Sequence, residues 1–506
     1  MNRLACILLA LTILASGMFA FANVHAQVVN GGVTLNSNTE WTAAQGPINL
    51  NGTVEVNSNV TLTIDPGVTV NLGIYAIVVE GALTAQGNAN NQIVFTNNGN
   101  QSIQTSSGAP IIFGPTSTPW NASTNSGSII QDAVLDSVPI DLEGVSTEID
   151  SCVFNYATTF QAPITVEAGS SSIISNNVIN YNVQNYNYGV NSMNVYGGNP
   201  TIINNQFEGS FGDASNVGIA VQCDPVISGN TFEAQYGNNS YGIKVNSGSP
   251  QITGNQFEGN GWLIGVDTTA NSAFTISNNI FSDCYLGVNA EAGTLTVQGN
   301  QFLKGTDGVD ISPGAAVTVT DNLIDSNTRY GINGGGTITS NTISNNQIGI
   351  HNPPSGVISN NNIVGNTLNS ITATIENVIA QNNWWGTTDT TAINQTIYDA
   401  KIDPHLGTVL FTPFLTQPST SAPAIPSYTP TTTPSPKQFS TPAPTVTPVS
   451  APTPTPYQYS QTFDYQVGSL INLNLITTAI ALTIILAWVI VILGYAAKRV
   501  ISKHWA

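Results

Sequence analysis

This chain has very little charge, and least of all positive charge. Only 7% of its 506 residues are charged, and nine Lys and Arg stand against 28 Asp and Glu. A surface so poor in cations cannot neutralise a phosphate backbone, which excludes nucleic acid as a partner and leaves cations or basic surfaces. His, Cys and Met are also scarce, at four, four and three residues. Asn, Thr, Ser and Gly are abundant instead, as in a repetitive β protein whose turns are polar but uncharged.

One short phrase returns along the chain from Ile130 to Trp384. It reads apolar-x-x-Asn-x-apolar, and successive copies lie 19 to 28 residues apart. Two earlier copies have Ala133 and Cys152 in place of the Asn. A repeat of this length predicts a solenoid. The Asn residues of the phrase are Asn177, Asn205, Asn230, Asn255, Asn279, Asn300, Asn322, Asn341, Asn361 and Asn382.

The phrase is too short for a helix, and its alternating apolar residues are typical of a strand. A second mark, Gly followed by Val or Ile, comes eight to thirteen residues after the Asn, as in Gly265-Val266 and Gly308-Val309. Each repeat therefore holds two or more short strands. Strands stacked coil upon coil, about 4.8 Å apart, form a parallel β-helix.

The recurring Asn has two structural roles in such a coil. It tolerates left-handed backbone geometry at a sharp turn, and stacked Asn side chains can bond amide to amide along the axis. A ladder of this kind is the interpretation favoured here. The alternative is an Asn stripe that binds sugar.

The residues that open the chain support this fold. Leu62-Thr63-Ile64-Asp65-Pro66-Gly67 and Gly81-Ala82-Leu83-Thr84-Ala85-Gln86-Gly87, followed by the Ile-x-x-Asn-x-Phe repeat, resemble right-handed parallel β-helix proteins of the pectate-lyase-like, carbohydrate-binding and sugar-hydrolase group. Archaeal surface proteins and periplasmic copper-associated proteins are near this group. The resemblance implies an all-β fold, a single-stranded right-handed parallel β-helix over residues 27–415 with N- and C-terminal caps.

Two aromatic positions mark the expected ends of the β-helix. Trp41 is expected over the open end of the first coil. Trp384 is expected to fill the slot that Phe or Ile fills in earlier coils, with a C-terminal cap from Ile393 to Leu415. A sugar-stacking role for the neighbouring Trp385 is an alternative.

The chain ends predict export and anchoring. Residues 1–26 read as a signal peptide, with an uncleaved anchor as the alternative. Residues 416–468 form a disordered Pro/Thr/Ser-rich stalk, and residues 469–497 contain an uncharged apolar run long enough for one transmembrane helix. Residues 498–506 form a basic tail, so the C-terminus is expected in the cytoplasm and the β-helix outside an archaeal or bacterial cell. The exported part carries five basic residues against 28 acidic ones, a net charge of 5 − 28 = −23.

Cysteine spacing and sequons fit an exported solenoid. Cys152, Cys223 and Cys284 lie about three coils apart, near 14 Å, so they are expected as free and mostly buried thiols. Six sequons are candidates for N-glycosylation, namely Asn51, Asn59, Asn100, Asn121, Asn238 and Asn394.

The sequence gives little sign of catalysis. Polysaccharide lyases and hydrolases need clustered carboxylates with a base or a cation. The repeats contain two Lys and one Arg in different coils, and neither His351 nor His405 has a recurring Asp pair near it. One branch of the resemblance implies copper binding. The sequence has no cluster of copper ligands, however, because Met193 and the His and Cys residues are scattered. No cofactor is expected apart from Ca²⁺.

That calcium hypothesis rests on an acidic column. Glu208, Glu233 and Glu258 each follow the inward Phe of consecutive copies, and Asp283 comes one residue later in the next. Stacked carboxylates repel one another unless they are solvated or bridged by a cation, and oxygen ligands suit Ca²⁺. A solvated acidic face is the alternative.

The same coils hold the longest insertions between Asn and Gly, and these are rich in aromatic residues. Exposed aromatics beside neutral amides suit sugar rings, although these side chains can equally pack over neighbouring coils. The candidates are Tyr181, Tyr186, Tyr188, Phe211, Tyr236, Tyr241 and Trp262.

The sequence therefore predicts a single-pass cell-surface β-helix protein without enzymatic activity. Its role would be adhesion or envelope attachment through glycan or a neighbouring surface protein. One alternative is a polysaccharide lyase or glycoside hydrolase on the same fold. Another is a purely structural envelope spacer.

Overall fold

A computed structural model describes residues 27–30, 32–98, 109–144, 146–156, 161–182, 191–210, 217–236, 240–269, 271–354 and 356–426. The predicted signal peptide, transmembrane segment and basic tail lie outside these ranges, as does the stalk beyond residue 426. No helix within them is long and apolar enough to cross a membrane.

The described chain is an all-β parallel solenoid of about 14 turns. Its strands fall into three parallel sheets, and every third strand along the chain joins the same sheet. Each coil thus has three strands, one more than the minimum that the sequence indicates. The third strand is short, often three residues, so it leaves little signal of its own.

Sheet 1 contains Gln27–Asn30, Ile48–Asn51, Thr69–Asn71, Ile93–Thr96, Ala133–Asp136, Val153–Tyr156, Val178–Asn182, Gln206–Ser210, Thr231–Tyr236, Gln256–Glu258, Ile280–Ser282, Gln301–Leu303, Leu323–Asp325, Thr342–Ser344 and Asn362–Val364. Sheet 2 contains Val33–Leu35, Val54–Val56, Ile77–Val79, Ile111–Phe113, Ile140–Leu142, Ile164–Val166, Asn191–Val195, Val217–Val221, Ser240–Val245, Leu263–Thr268, Leu286–Ala290, Asp307–Ile311, Tyr330–Asn333, Ile348–His351, Asn369–Thr372 and Ile397–Tyr398.

Sheet 3 contains Thr39–Trp41, Thr61–Ile64, Ala82–Gln86, Ile129–Gln131, Glu148–Asp150, Ile173–Ser175, Thr201–Ile203, Val226–Ser228, Gln251–Thr253, Ala273–Ser277, Thr294–Gln298, Ala316–Thr320, Thr337–Thr339, Val357–Ser359, Val378–Ile379 and Val409–Leu410. A short 3₁₀ helix, Ala43–Gln45, follows the first three strands, and an α-helix, Thr390–Gln395, precedes the last two.

The core is a set of stacked columns. Five inward Phe side chains of sheet 1 stack with ring centroids 4.7 to 4.9 Å apart, from Phe207 to Phe302. The Gly of the Gly-Val mark lies directly against this column. A Cβ on Gly265 would come within 2.5 Å of Phe281 Cδ1 and 2.6 Å of the Gly287 carbonyl oxygen. The Gly is therefore required by the Phe column beside it.

The predicted Asn ladder is present and buried. Each ladder Asn donates from Nδ2 to the Oδ1 of the Asn in the next coil, as Asn177 does to Asn205 at 2.9 Å. Each Oδ1 also accepts the backbone N–H of the Asn before it, as Asn205 does from Asn177 at 3.0 Å. The amide stack thus satisfies polar groups that water cannot reach.

Two details of the predicted ladder are wrong. The left-handed residue is the one before the ladder Asn, as at Asn278 with φ 56° and Asn360 with φ 59°. The last rung is Asn383, which bonds to Asn361 at 2.9 Å, whereas Asn382 is the left-handed residue of that coil. The register moves by one residue because Ala380 takes the inward slot that Ile or Val fills three residues before the other ladder asparagines.

At the C-terminal end, Trp385 rather than the predicted Trp384 fills the inward slot. Trp385 is buried, and its ring meets Phe411 edge-on at 6.1 Å. Burial leaves no face of Trp385 for stacking on a sugar. The last two strands, Ile397–Tyr398 and Val409–Leu410, extend sheets 2 and 3.

The cysteines are free thiols as predicted, and Trp41 belongs to the core of the first coil. Trp41 is the buried inward residue of the first coil, paired in register with Ile64. Cys152, Cys223 and Cys284 are free thiols, two of them buried and Cys223 half-buried. Burial raises the pKa of Cys152 to about 12 and that of Cys223 to about 11, so both stay protonated at neutral pH.

The first part of the predicted stalk belongs to the folded unit. Residues 416–426, which we call the strap, run back along the last coils. The Ser419 N–H donates to Asn362 Oδ1 at 2.7 Å, and Ser340 Oγ bonds Ser421 Oγ at 3.2 Å. The predicted boundary at 416 is therefore too early, because polar side chains on the coils hold this segment.

Candidate functional site

The outer face of sheet 2 carries a continuous line of polar side chains, which we call the polar column. It consists of Lys244, Asp267, Asn289, Asp310, Asn333 and His351, each in register with the next. Every one of them directly follows the Gly-Val or Gly-Ile mark of its coil. The Gly and the apolar residue fix the strand against the core, so the third residue points outward.

The first half of the column is an ion pair extended by an amide. Lys244 Nζ lies 3.5 Å from Asp267 Oδ2, and Asn289 Nδ2 donates to Asp267 Oδ1 at 2.7 Å. The Asp267 side chain is nearly inaccessible to water. Burial is the largest influence on its carboxyl and raises the pKa of Asp267, although Asn289 and Lys244 oppose the rise.

The second half fixes the tautomer of a histidine. Asn333 Nδ2 donates to Asp310 Oδ1 at 3.0 Å, so Asn333 Oδ1 is the acceptor for His351 Nδ1, 2.9 Å away. The His351 proton therefore sits on Nδ1, and Nε2 keeps its lone pair. Burial lowers the pKa of His351 below its usual value, which keeps the ring neutral at pH 7. Burial raises the pKa of Asp310.

Beside this half lies a buried carboxylate that holds an arginine. Asp307 accepts from Arg329 Nε at 2.8 Å and from the Tyr330 backbone N–H at 3.1 Å. Arg329 Nη2 completes a bidentate pair with the same carboxylate. The Tyr330 ring stacks on His351 with centroids 4.1 Å apart, and the Arg329 guanidinium lies 4.9 Å from the Tyr330 centroid. These contacts fix the orientations of the Tyr330 and His351 rings and of the Arg329 guanidinium.

An open pocket of about 480 Å³ adjoins the column where sheet 2 turns toward sheet 3. Asp310 and Asn333 form part of its wall, and the turn at Gly334 and Gly335 forms another part. A pocket of this size holds one or two sugar rings' worth of ligand. The lining offers the Asp310 carboxylate and the Asn333 amide to a ligand in that space.

Two of the predicted aromatic residues flank the same face. Tyr241 is half-buried with Lys244 Nζ 4.2 Å from its ring, and Trp262 is 51% exposed just before its sheet 2 strand. Tyr285, 37% exposed in the next coil, was not predicted. Tyr186, Tyr188 and Phe211 lie outside the described residues. Of Tyr181 and Tyr236 the structure describes only the backbone, in strands of sheet 1.

The predicted acidic column lies on sheet 1, apart from this site. Glu208, Glu233 and Glu258 are in register, while Asp283 falls one residue past the strand in a left-handed turn. Burial, then Glu258 and Glu208, raise the pKa of Glu233. The three carboxylates do not group closely enough in this arrangement to hold a metal ion, so Ca²⁺ binding at this column stays a prediction.

The sequence interpretation missed the polar column, and it found no recurring Asp pair near His351, whereas the structure places Asp310 in the same column and Asp307 close by. Asp307 and Asp310 come near His351 because coils of unequal length bring distant residues into one column. A usable signal was present, since each column residue directly follows a Gly-Val or Gly-Ile pair.

Two family models match parts of the chain. The one described as "Right handed beta helix region" matches residues 121–266, and the one described as "Periplasmic copper-binding protein (NosD)" matches residues 264–400. No curated protein matches the chain in sequence. Among solved structures, the periplasmic alginate epimerase AlgG is 15% identical over 77% of this chain and 83% of its own, with a TM-score of 0.27. A double mutant of the same epimerase is 15% identical over 77% of this chain and 84% of its own, with a TM-score of 0.29.

With three parallel sheets in register and these family matches, the chain is a right-handed parallel β-helix repeat protein. The copper named in the second description finds no fitting ligand set in the part of the chain that the structure describes. There, no three His, Cys, Asp or Glu side chains group closely enough to hold a metal ion.

Proposed function

We propose that this protein binds a neutral glycan chain along the outer face of sheet 2 and serves in adhesion or envelope attachment at the cell surface. The observation that carries the proposal is the polar column itself. It places donors and acceptors in line, about 4.8 Å apart, over six coils. A linear hydroxyl-bearing polymer running parallel to the solenoid axis meets a partly exposed group in each of these coils except that of Asp267, whose side chain is buried.

The flanking residues support a sugar ligand. Trp262 and Tyr285 offer partly exposed rings just before the sheet 2 strands whose later residues form the column, and aromatic rings pack on the apolar faces of sugars. The exported chain has a net charge of −23, counted as 5 − 28 from its basic and acidic residues. That charge disfavours anionic glycans and supports a neutral one. The predicted signal, stalk and transmembrane segment would place this face outside the cell.

A glycan array probed with the full chain in detergent tests the proposal. Asn333→Ala removes the hydrogen bonds that orient Asp310 and His351, so we expect binding to weaken about tenfold or more. His405→Ala is the matched control, because His405 is an exposed histidine of the cap. Equal binding by Asn333→Ala and wild type, or a preference for anionic glycans, contradicts the proposal.

One observation favours a second candidate, a glycan-cleaving enzyme at the same site. Asp310 has a raised pKa, as a general acid needs, and His351 Nε2 is an unprotonated base. The two residues are two coils apart, on the order of 10 Å. Mass spectrometry of the bound glycan after prolonged incubation distinguishes the candidates, since only an enzyme releases products, and Asp310→Asn would abolish them.

A further inference from the structure

The outer face of sheet 3 differs from the rest of this acidic molecule because it carries no charged side chain over five successive coils. We call these outward residues the hydroxyl face. They form two rows, Thr275, Thr296, Thr318, Thr337 and Val357 in one, and Ser277, Gln298, Thr320, Thr339 and Ser359 in the other. The nearest carboxylate, Asp321, lies in the turn at the edge and bonds Gln298.

The rows are regular in both directions. Successive strands pair without a register shift, so neighbours along a row are about 4.8 Å apart, and the two rows are separated by about 6.6 Å along the strand. Thr339 Oγ1 bonds Thr320 Oγ1 at 3.5 Å within the second row. The Thr hydroxyls of the first row have no side-chain partner within the described part of the chain. β-Branching restricts each Thr to few rotamers, so methyl and hydroxyl groups hold fixed positions.

The face becomes apolar toward the C-terminal end. Val357, Ile379 and Leu410 continue the first row in register and are each about half exposed. Exposed sheet faces normally carry charged residues, which keep them from associating. A rigid face that mixes methyl and hydroxyl groups without charge therefore suits a partner that is also uncharged, because no ion loses its hydration on contact.

We infer that the hydroxyl face adsorbs to the flat, ordered surface of a neutral polysaccharide. Parallel polysaccharide chains packed side by side offer repeating rows of hydroxyl edges and C–H faces. Because both surfaces are rigid before they meet, little conformational entropy is lost on contact. A single soluble glycan chain loses more conformational entropy on binding and covers less of a flat sheet. The hydroxyl face therefore suits a different ligand from the polar column on sheet 2.

A pull-down with microcrystalline cellulose, using the full chain in detergent, tests this inference. We expect the chain to leave solution with crystalline cellulose and to bind phosphoric-acid-swollen cellulose, which lacks ordered surfaces, at least about fivefold less. Thr296→Lys/Thr318→Lys places two ammonium groups in the middle of the face, and binding to the crystalline form should fall about tenfold or more. This variant's circular dichroism must match that of the wild type.

The matched control is Gln301→Lys/Leu323→Lys, which adds the same charges at paired outward positions of sheet 1 in nearby coils. It should bind crystalline cellulose as the wild type does. Equal binding to crystalline and swollen cellulose overturns the inference, as does unchanged binding of the Thr-to-Lys variant. Thermal hysteresis of ice growth without cellulose binding also overturns it, because the ordered partner would then be ice.

Discussion

Each ladder asparagine makes between three side-chain hydrogen bonds, as Asn177 does, and five, as Asn205 does, while it is shielded from water. Asn279 Oδ1 accepts from the backbone N–H and the side-chain amide of Asn255, at 2.8 and 3.0 Å. Its Nδ2 donates to the Ile252 carbonyl oxygen at 3.1 Å and to Asn300 Oδ1 at 3.0 Å. No smaller side chain satisfies these groups, so the Asn is required by the coil and is unavailable to a ligand.

Asn279→Ala should therefore lower the free energy of unfolding by on the order of 3 kcal/mol, because buried donors and acceptors in the adjacent coils lose their partners. Urea unfolding followed by intrinsic fluorescence measures the change. Asn278→Gly is the control, since Asn278 is left-handed and the equivalent positions in adjacent coils are Gly254 and Gly299. If the ladder did not stabilise the fold, both variants would change the free energy of unfolding by the same small amount.

A second residue-scale prediction concerns the stacked carboxylates of sheet 1. The folded chain holds the proton of Glu233 more tightly than the unfolded chain, because the pKa of Glu233 is raised. Its contribution to the free energy of unfolding therefore falls as pH rises from the usual value of 4.5 through the raised pKa. Above that window the charged form destabilises the fold.

Glu233→Gln should accordingly stabilise the chain at pH 7 by on the order of 0.5 kcal/mol and leave it unchanged at pH 4. Glu40→Gln is the control, because Glu40 pairs in register with Thr63 rather than with a carboxylate. Thermal unfolding at the two pH values gives the comparison. A bound Ca²⁺ would reverse the result in millimolar calcium, since the substitution would then remove a ligand.

At the scale of strands, Gly and Phe columns depend on each other across the coil. At four of these glycines, a backbone carbonyl oxygen and a Phe ring occupy the space that a Cβ would need. They are Gly218, Gly242, Gly265 and Gly287. The sequence showed Gly-Val and Asn-x-Phe as separate marks, and only the packing shows why they occur together.

Gly265→Ala should destabilise the chain by about 3 kcal/mol, because its Cβ would overlap Phe281 and the Gly287 carbonyl. Gly314→Ala is the control, since the nearest atom to its Cβ is the Glu291 carbonyl oxygen at 3.8 Å. A change in denaturation midpoint of similar size in both variants would show that the Phe column tolerates the methyl group.

Strand-level prediction from sequence succeeded where a residue repeats at one position and failed where coil length varies. The Asn ladder was found because it recurs in one local phrase. The polar column was missed because the spacing of the phrase varies from 19 to 28 residues, which hides the alignment of Asp310 with His351. The last rung was predicted at Asn382, one residue too early, because Ala380 is too small to be recognised from the sequence as the inward residue.

At the scale of the whole molecule, the three sheets offer three different surfaces. Sheet 1 carries the carboxylate column, sheet 2 the polar column with its pocket, and sheet 3 the uncharged hydroxyl face. A solenoid keeps these faces separate over its whole length, because every coil contributes one strand to each. The period of the sequence predicted the solenoid, but the chemistry of each face follows only from the register.

The most direct test of the account is hydroxyl-radical footprinting of the full chain with and without the glycan that gives the strongest array signal. Binding along sheet 2 predicts that Tyr330, His351 and Trp262 become protected from oxidation. Tyr75, which lies several coils away, and His405 of the cap should be oxidised equally in both states. Protection confined to residues outside sheet 2, or none at Tyr330 and His351 under saturating glycan, would contradict the central claim.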